Sequence, residues 1–458
     1  MKKLSSQDLL LTNAKHIHMI GIGGSGMCPI AEILHSKGHI LSGSDNNPSD
    51  PLSRVIKMGA KVTMGHKAEN VKGADLIIYS AAIHEDNPEI QEAKRLGIPL
   101  MERSAALGAI TRHYNEVIGV CGTHGKTTTS SIITQILYMA SFDPTAVIGG
   151  RLPIINANGR AGESEYMVCE SCEFVDTFLS LSPDIAVLLN IDNDHLDYFK
   201  TMDNLVASFT KFVNMAKVLI TNGDDTRTKK IGDEYKGEVI TFGLADGNDF
   251  SAKNITAGKE GMEFDLYKKG EFLTEISLSV PGEHNVYNAL AAAAAADYVG
   301  VGAEDIARGI SAFGGAGRRF EKLGIHKGIM IADDYAHHPT EIKATLTAAK
   351  NMGYNNVIAV FQPFTFSRTE LLKNEFIEAL SIADKVILTP IMGSREVNVT
   401  GISSNDIGKE LKCCYLVDGL ESAAEKIAEV ARAGDLVITM GGGDIYKSAR
   451  KAIEILDK

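Results

Sequence analysis

Residues 119–131 read GVCGTHGKTTTSS. An apolar strand pattern, EVIGV at 116–120, runs into this turn, and a helical pattern, TTTSSIITQILYMA, runs out of it. Strand, Gly-rich turn and helix in that order make a phosphate loop, whose backbone N–H groups face an anion at a helix N-terminus. The spacing departs from the common P-loop, which requires a glycine five residues before the Gly-Lys pair. With Gly125-Lys126 that place falls on Val120, and Gly119 and Gly122 are each out of register. The chemistry survives the departure. Lys126 can reach β- and γ-phosphate oxygens and Thr127 can ligate Mg²⁺, with Gly122, Thr123, His124, Gly125 and Thr128 completing the cradle. The bland alternative is a polar helix cap made by Thr127 and Thr128.

A second Gly-rich turn, GIGGSG at 21–26, lies a hundred residues earlier, between a strand pattern and a helical one. Gly21, Gly23 and Gly26 fit G-x-G-x-x-G, and Asp45 stands 19 residues beyond Gly26. That is the dinucleotide fingerprint in its proper context. Alone it suggests NAD, or a tight turn with no ligand. What it licenses is a diphosphate at a helix N-terminus, and UDP-sugars carry one too.

Outward from these loops the chain alternates short apolar runs with helical patterns, which implies parallel α/β sheets. HIHMIGI (16–22), HILSGSD (39–45), KVTMG (61–65) and ADLIIYS (74–80) read as strands, with a helix over MCPIAEILHSKG (27–38). MVCES (167–171), IAVLLNID (185–192) and KVLITNGDD (217–225) read as strands after the phosphate loop. Residues 247–280 change to alternating, turn-punctuated runs, the pattern of a small antiparallel subsheet. A last series, GIMIADD (328–334), NVIAVFQP (356–363), DKVILTP (384–390) and DLVITMG (435–441), begins just beyond the Gly-rich FGGAG (313–317), which reads as a hinge. At about 150 residues per domain, 458 residues suggest three domains.

Composition narrows the class. Hydrophobic residues are 44% and charged residues 23%, as in ordinary globular proteins. The net charge of -12 argues against a nucleic-acid partner, which needs basic surface. The N-terminus has no signal-peptide core and no run approaches the roughly 18 apolar residues of a membrane span, so the expectation is a cytoplasmic protein. Of six cysteines, Cys169 and Cys172 have CxxC spacing, but no second pair follows at zinc-site distance. Reduced thiols fit that compartment.

Carboxylates gather where ligands of open α/β sheets sit, beyond the carboxyl ends of strands. CESCE offers Glu170 and Glu173; NIDNDHLD offers Asp192, Asp194, His195 and Asp197. Each cluster alone reads as a solvated loop. Beside a Gly-Lys-Thr loop they make a candidate Mg²⁺ site. PGEHNVYNA places Asn285 and Asn288 on one helix face behind His284, able to read an adenine edge or simply to cap a helix. GRRFE and ADDYAHHPTE add Arg318, Arg319, Asp334, Tyr335, His337 and His338.

Taken in order, GIGGSGM, SGSD, YSAAI with NPE, GTHGKTTT, NIDNDHLDYF, GEHNVYNALAA, GAGRRFE, DDYAHHPTE, FQPFTFSRT and MGGGDI resemble the Mur ligase family, over residues 21–445. The resemblance implies three α/β domains: a Rossmann-like UDP-substrate domain (1–112), a central P-loop-type ATPase domain with a parallel sheet and small antiparallel subsheet (113–322), and a Rossmann-like C-terminal domain for the amino acid (323–458). It implies an ATP- and Mg²⁺-dependent ligase, with Mn²⁺ able to substitute, that joins L-alanine to the lactyl carboxylate of UDP-N-acetylmuramate through an acyl phosphate. On this resemblance the shorter GTHGKT loop holds ATP, and the UDP diphosphate lies on Gly21, Gly23, Gly24, Ser25, Gly26 and Met27, with Ser44, Asp45, His66 and Ser80 around it. Thr127 and Glu170 hold the metal shared with ATP and His195 a second one. His284, Asn285 and Asn288 lie near adenine, Arg319 near phosphates and Asp334 near ribose; His337 and Arg368 frame the reacting groups.

Two positions depart from the family pattern. Phe364 stands where many members have His, and Cys172 where they often have Asp. Competing readings are an NAD-dependent dehydrogenase built on GIGGSG, which leaves GTHGKT and NIDNDH unexplained, and a non-catalytic nucleotide-binding regulator, against which Glu170 and His195 speak. Within the family the alternative is a recycling ligase that attaches a whole peptide. Oligomeric state is open.

Overall fold

The computed structural model describes every residue except 1, 3, 259 and 395, together with the side chain of Asp197. The chain falls into two compact units, Met1–Ser251 with Leu266–Thr274 and Asn288–Gly309, and Ala252–Asp265 with Glu275–Tyr287 and Ile310–Lys458.

The first unit opens with β1 (His16–Ile20), β2 (Ile40–Asp45), β3 (Lys61–Met64), β4 (Leu76–Tyr79) and β5 (Leu100–Glu102), in the order β3-β2-β1-β4-β5. Every pairing is parallel. The order reverses between β1 and β4, so the turns after them open a crevice at the carboxyl edge. A larger sheet follows, from β6 (Glu116–Cys121), β7 (Thr145–Leu152), β8 (Ala157–Arg160), β9 (Tyr166–Glu170), β10 (Ile185–Leu188), β11 (Val218–Asn222) and β12 (Glu238–Gly243), ordered β12-β11-β10-β6-β9-β7-β8. Only β7 and β8 pair antiparallel within that run. IAVL of β10 and VLITN of β11 are buried throughout, as strands covered on both faces must be. One apolar cluster, from Leu11 through Met19, Val117 and Leu188 to Ile231, runs through both sheets of this unit.

β13 (Phe250–Ala257), β14 (Met262–Lys268) and β15 (Glu271–Leu278) extend the larger sheet beyond β12. Their connections of four and two residues are too short for crossovers, so they are hairpins, the subsheet that the turn-punctuated sequence predicts.

In the second unit β16 (Glu321–His326), β17 (Ile329–Asp334), β18 (Val357–Phe361), β19 (Lys385–Leu388), β20 (Cys414–Leu416) and β21 (Leu436–Met440) lie in the order β16-β17-β21-β18-β19-β20. All pairs are parallel except β16 with β17. Successive strand residues face opposite sides. Ala359, Phe361 and Ile438 join Ile342, Leu346 and Phe376 on one face. Ile358, Val360 and Val437 join Ala423, Ile427 and Ala449 on the other.

The strands end earlier than their apolar runs. β1 stops at Ile20 because Gly21, at φ +77°, turns the chain. β10 stops at Leu188, and Leu189–Ile191 bend toward the phosphate loop.

Candidate active site

The GTHGKT loop leaves β6 and enters the helix Lys126–Met139, with β10 and β9 on either side of β6. Gly125 sits at φ +86°, and a Cβ there would overlap the Asn288 side chain, so only glycine fits. Asn190 fixes the loop from β10's end. Its Oδ1 accepts the His124 N–H at 2.8 Å, its Nδ2 donates to the His124 carbonyl at 3.1 Å, and its carbonyl accepts the Thr123 N–H at 3.0 Å. Asp192 adds a contact of 3.0 Å to His124 Nε2.

The lysine is held as a charge. Lys126 Nζ donates to the carbonyls of Gly122 (2.6 Å) and Thr123 (3.0 Å) and lies 2.9 Å from Glu173 Oε2. Burial alone would lower its pKa, but the Glu173 carboxylate outweighs burial and holds it well above the ordinary lysine range. Thr127 Oγ1 donates to Glu170 Oε1 at 3.1 Å, and Glu170 Oε2 accepts the Gly149 N–H at 2.7 Å. Hydroxyl and carboxylate therefore converge as the hard oxygen donors that suit Mg²⁺. Thr128, the third residue of the helix, is buried.

His195 stands at φ +56°, ahead of the helical turn Leu196–Phe199. Its ring packs on Phe174 with centroids 4.9 Å apart, and its Nε2 is 3.5 Å from Asp194. The Asp197 side chain lies outside the described residues. Asn288 accepts from Thr129 Oγ1, in the first turn of the helix after the GTHGKT loop, at 3.2 Å.

The GIGGSG loop has a different construction. Gly21 N–H and Ile22 N–H both donate to the Ser44 carbonyl, and Gly23 N–H donates to Asp45 Oδ2 at 2.9 Å. Leu52 and Asp45 leave no room for a Cβ on Gly23. Gly24 and Ser25 are exposed, and Asn158 Nδ2 holds the Ser25 carbonyl at 2.6 Å. Met27 is in the core and serves the loop by packing. Ser80 begins the turn after β4. Ser44 Oγ, His66 Nδ1 and the buried Glu89 are mutually bonded beside the loop. Sequence reasoning missed Arg103, whose guanidinium lies 3.3 Å from where a Gly26 Cβ would be. Nothing local announces it, since it arrives from a helix beyond β5.

In the second unit, Arg318 at φ +60° donates to Asp333 Oδ2 (2.9 Å) and the Gly441 carbonyl (2.7 Å), between the rings of Tyr335 and Tyr446. Arg319 lies over Tyr335, 4.0 Å from Glu341. Asp334 accepts the N–H groups of Phe320 (2.8 Å) and Ala336 (2.7 Å); burial pushes its pKa up to about 6, against Arg319. His337 Nδ1 is 2.9 Å from the Tyr335 carbonyl, and its ring meets Phe364 edge-on across Gly442. Arg368 lies in the helix Phe366–Leu371. Asn285 donates to the Pro281 carbonyl at 2.7 Å, and His284 packs on Gly282.

These features define a class: a multi-sheet α/β protein with two phosphate-type loops, one cationic, each at the carboxyl edge of its own parallel sheet. Family models agree in order along the chain: Mur ligase family, catalytic domain, over residues 16–115; Mur ligase middle domain over 120–296; and Mur ligase, glutamate ligase domain, over 318–443. The chain is 44% identical to the UDP-N-acetylmuramate–L-alanine ligase of Caldanaerobacter subterraneus, over 97% of this chain and 98% of that one. A crystal structure of UDP-N-acetylmuramate–alanine ligase from Thermotoga maritima superposes with a TM-score of 0.83 at 28% identity, covering 97% of this chain and 99% of the other. The murein peptide ligase of Psychrobacter arcticus shares the fold, with a TM-score of 0.72 at 24% identity over 97% and 99%. The chain belongs to the Mur ligase family, with its three-domain α/β architecture. Among the described residues, no helix is long and apolar enough to cross a membrane.

Proposed function

We propose that the protein is an ATP-dependent ligase that joins L-alanine to the lactyl carboxylate of UDP-N-acetylmuramate, an early cytoplasmic step of peptidoglycan precursor synthesis. The observation that carries this reading is the GTHGKT loop, with Lys126 charged against Glu173 and Thr127 converging on Glu170, in a chain 44% identical over nearly its whole length to a relative bearing that name. The domain limits 1–112, 113–322 and 323–458 are part of the proposal; each encloses one sheet, apart from the first two residues of β16, Glu321 and Lys322, which fall on the central side of the second limit.

A carboxylate is a poor electrophile, so its oxygen first takes the γ-phosphoryl group of ATP, giving an acyl phosphate and ADP. The alanine amine then attacks the carbonyl carbon, loses a proton, and phosphate leaves as the amide forms. Two anions must meet in the first step, and Lys126 offsets their repulsion. Mg²⁺, or Mn²⁺ in its place, supplies further neutralisation of the phosphates; Thr127 and Glu170 would hold it, with His195 at a second metal. The remaining assignments are His284, Asn285 and Asn288 toward adenine, Arg319 toward phosphates, Asp334 toward ribose, and His337 and Arg368 toward the reacting carboxylate and alanine. Since both backbone-bonded oxygens of Asp334 are already engaged, it would act on ribose through its remaining lone pairs.

The test is phosphate release with ATP, Mg²⁺ and UDP-N-acetylmuramate, offering L-Ala, Gly, L-Ser or a tripeptide in turn. Release with L-Ala above the others is expected. Release only with the tripeptide would assign the protein to peptide recycling, and release without UDP-N-acetylmuramate would overturn the reading.

A further inference from the structure

Glu89 is fully buried, yet its carboxylate is the centre of a polar cluster in the first sheet. Its Oε2 accepts from Ser44 Oγ at 2.6 Å and lies 3.1 Å from His66 Nδ1; its Oε1 accepts from Asn70 Nδ2 at 2.5 Å. On the far side His18 Nε2 stands 3.5 Å from Oε1, an electrostatic contact, while His18 Nδ1 bonds Ser42 Oγ at 2.9 Å. Burial by itself would raise the pKa of Glu89; His18, Ser44 and Asn70 outweigh it, so the carboxylate is held below the ordinary range. Isolated buried carboxylates are costly, and a cluster this complete has a consequence for whichever member reaches the surface.

That member is His66, whose side chain is 14% exposed. Ser44 spends its hydroxyl proton on Glu89, so Ser44 Oγ and Glu89 Oε2 are both acceptors toward His66 Nδ1. Nδ1 must therefore carry a proton, and the ring's second nitrogen, Nε2, is the one turned away from the cluster. The same Ser44 contributes the carbonyl that holds Gly21 N–H and Ile22 N–H. One residue thus ties the ring to the Gly-rich loop. We infer that Glu89 is a positioning residue for the uridine diphosphate half of the substrate, acting through His66: it fixes the imidazole with Nδ1–H inward and Nε2 offered to the ligand. This rests on the proposal that the 21–26 loop takes UDP.

The test is calorimetry with UDP, and with ADP as control, on the wild type, Glu89→Gln, His66→Ala and the double variant. Glu89→Gln keeps volume and removes the charge. UDP affinity should fall about tenfold in Glu89→Gln, the scale of one lost charge-assisted contact, with ADP unchanged. The double variant should bind UDP no worse than His66→Ala, since one residue acts through the other. Losses that multiply, or UDP and ADP affinities that fall together, would overturn the inference, as would Glu89→Gln within twofold of wild type while His66→Ala is weakened. A wild type that takes no UDP overturns it at its root, by removing the loop assignment. Should Glu89→Gln not fold, histidine-selective ¹⁵N spectra of the wild type decide: a His66 protonated at Nδ1 is expected, and a neutral ring protonated only at Nε2 sinks the idea.

Discussion

The two Gly-rich loops of the first unit share a plan, strand to turn to helix, and differ in how they are charged. At 122–128 the loop brings its own cation, and Glu173, 1% exposed, holds that cation in place. At 21–26 the loop brings no cation; Asp45 takes the Gly23 N–H, charge is supplied from outside by Arg103, and a histidine is held beside the loop against Glu89. A buried lysine stays charged only with a partner. A loop built on one is therefore suited to neutralising charge that develops during a reaction, whereas a loop of backbone dipoles is suited to holding a diphosphate that does not react.

The variant with the largest expected effect is Lys126→Ala. Ligation should fall by about 10³-fold or more, as for loss of a group acting on transferred phosphoryl charge, while calorimetry should find UDP-N-acetylmuramate affinity within about twofold of wild type. A large loss of that affinity would mean the loop assignments are reversed. Next come paired glycine substitutions. Gly125→Ala forces a Cβ onto Asn288 at a positive φ, and Gly23→Ala forces one onto Leu52. Each should weaken its own ligand by about 100-fold, some 2.7 kcal/mol, and leave the other's within a few fold. If both variants weaken both ligands, the loops are not independent and the comparison fails.

The contrast was half legible in the sequence. Both loops announce themselves because a strand–turn–helix signal is local: the apolar run, the glycines and the helix start lie within fifteen or so residues. So do the fully buried strands IAVL and LVITM. What sets the charge of each loop is not local. In sequence Glu173 reads as a metal-type carboxylate beside Glu170, yet it pairs with a lysine 47 residues earlier; Arg103 approaches Gly26 from beyond β5. Glu89 lies in the NPE stretch, where only a helix start is visible, because Pro88 opens Pro88–Leu96. The hairpin of β7 and β8 was also illegible: TAVIGGRLPIINANGR has no clean period, and its pairing register shifts between Val147 and Leu152.

A third region gives a smaller test. Phe364 meets His337 edge-on, so this end of β18 carries neither the lysine of one loop nor the polar cluster of the other. Phe364→His adds a polar contact within reach of His337 and Gly442 and should lower the alanine KM several-fold with kcat about constant, the mark of a ground-state contact. A rise in kcat of about tenfold, worth about 1.4 kcal/mol of barrier, would place the position in the transition state.

The smallest expected effect is none: NAD(H) and NADP(H) should give no binding signal at the 21–26 loop. In dinucleotide folds the acid about 20 residues past the glycines bonds the ribose 2′-hydroxyl. Here Asp45 turns both oxygens to the chain, Oδ2 to Gly23 N–H at 2.9 Å and Oδ1 to Asn47 N–H at 3.0 Å. The sheet order β3-β2-β1-β4-β5 also stops one strand short of the six that build two mononucleotide halves, so the half that would carry nicotinamide is incomplete. A diphosphate joined to a single nucleoside fits the remaining half. The check is nicotinamide fluorescence on titration with protein. A rise that UDP then displaces would show the loop accepting a dinucleotide, and the division between a holding loop and a reacting loop would have to be redrawn around hydride chemistry.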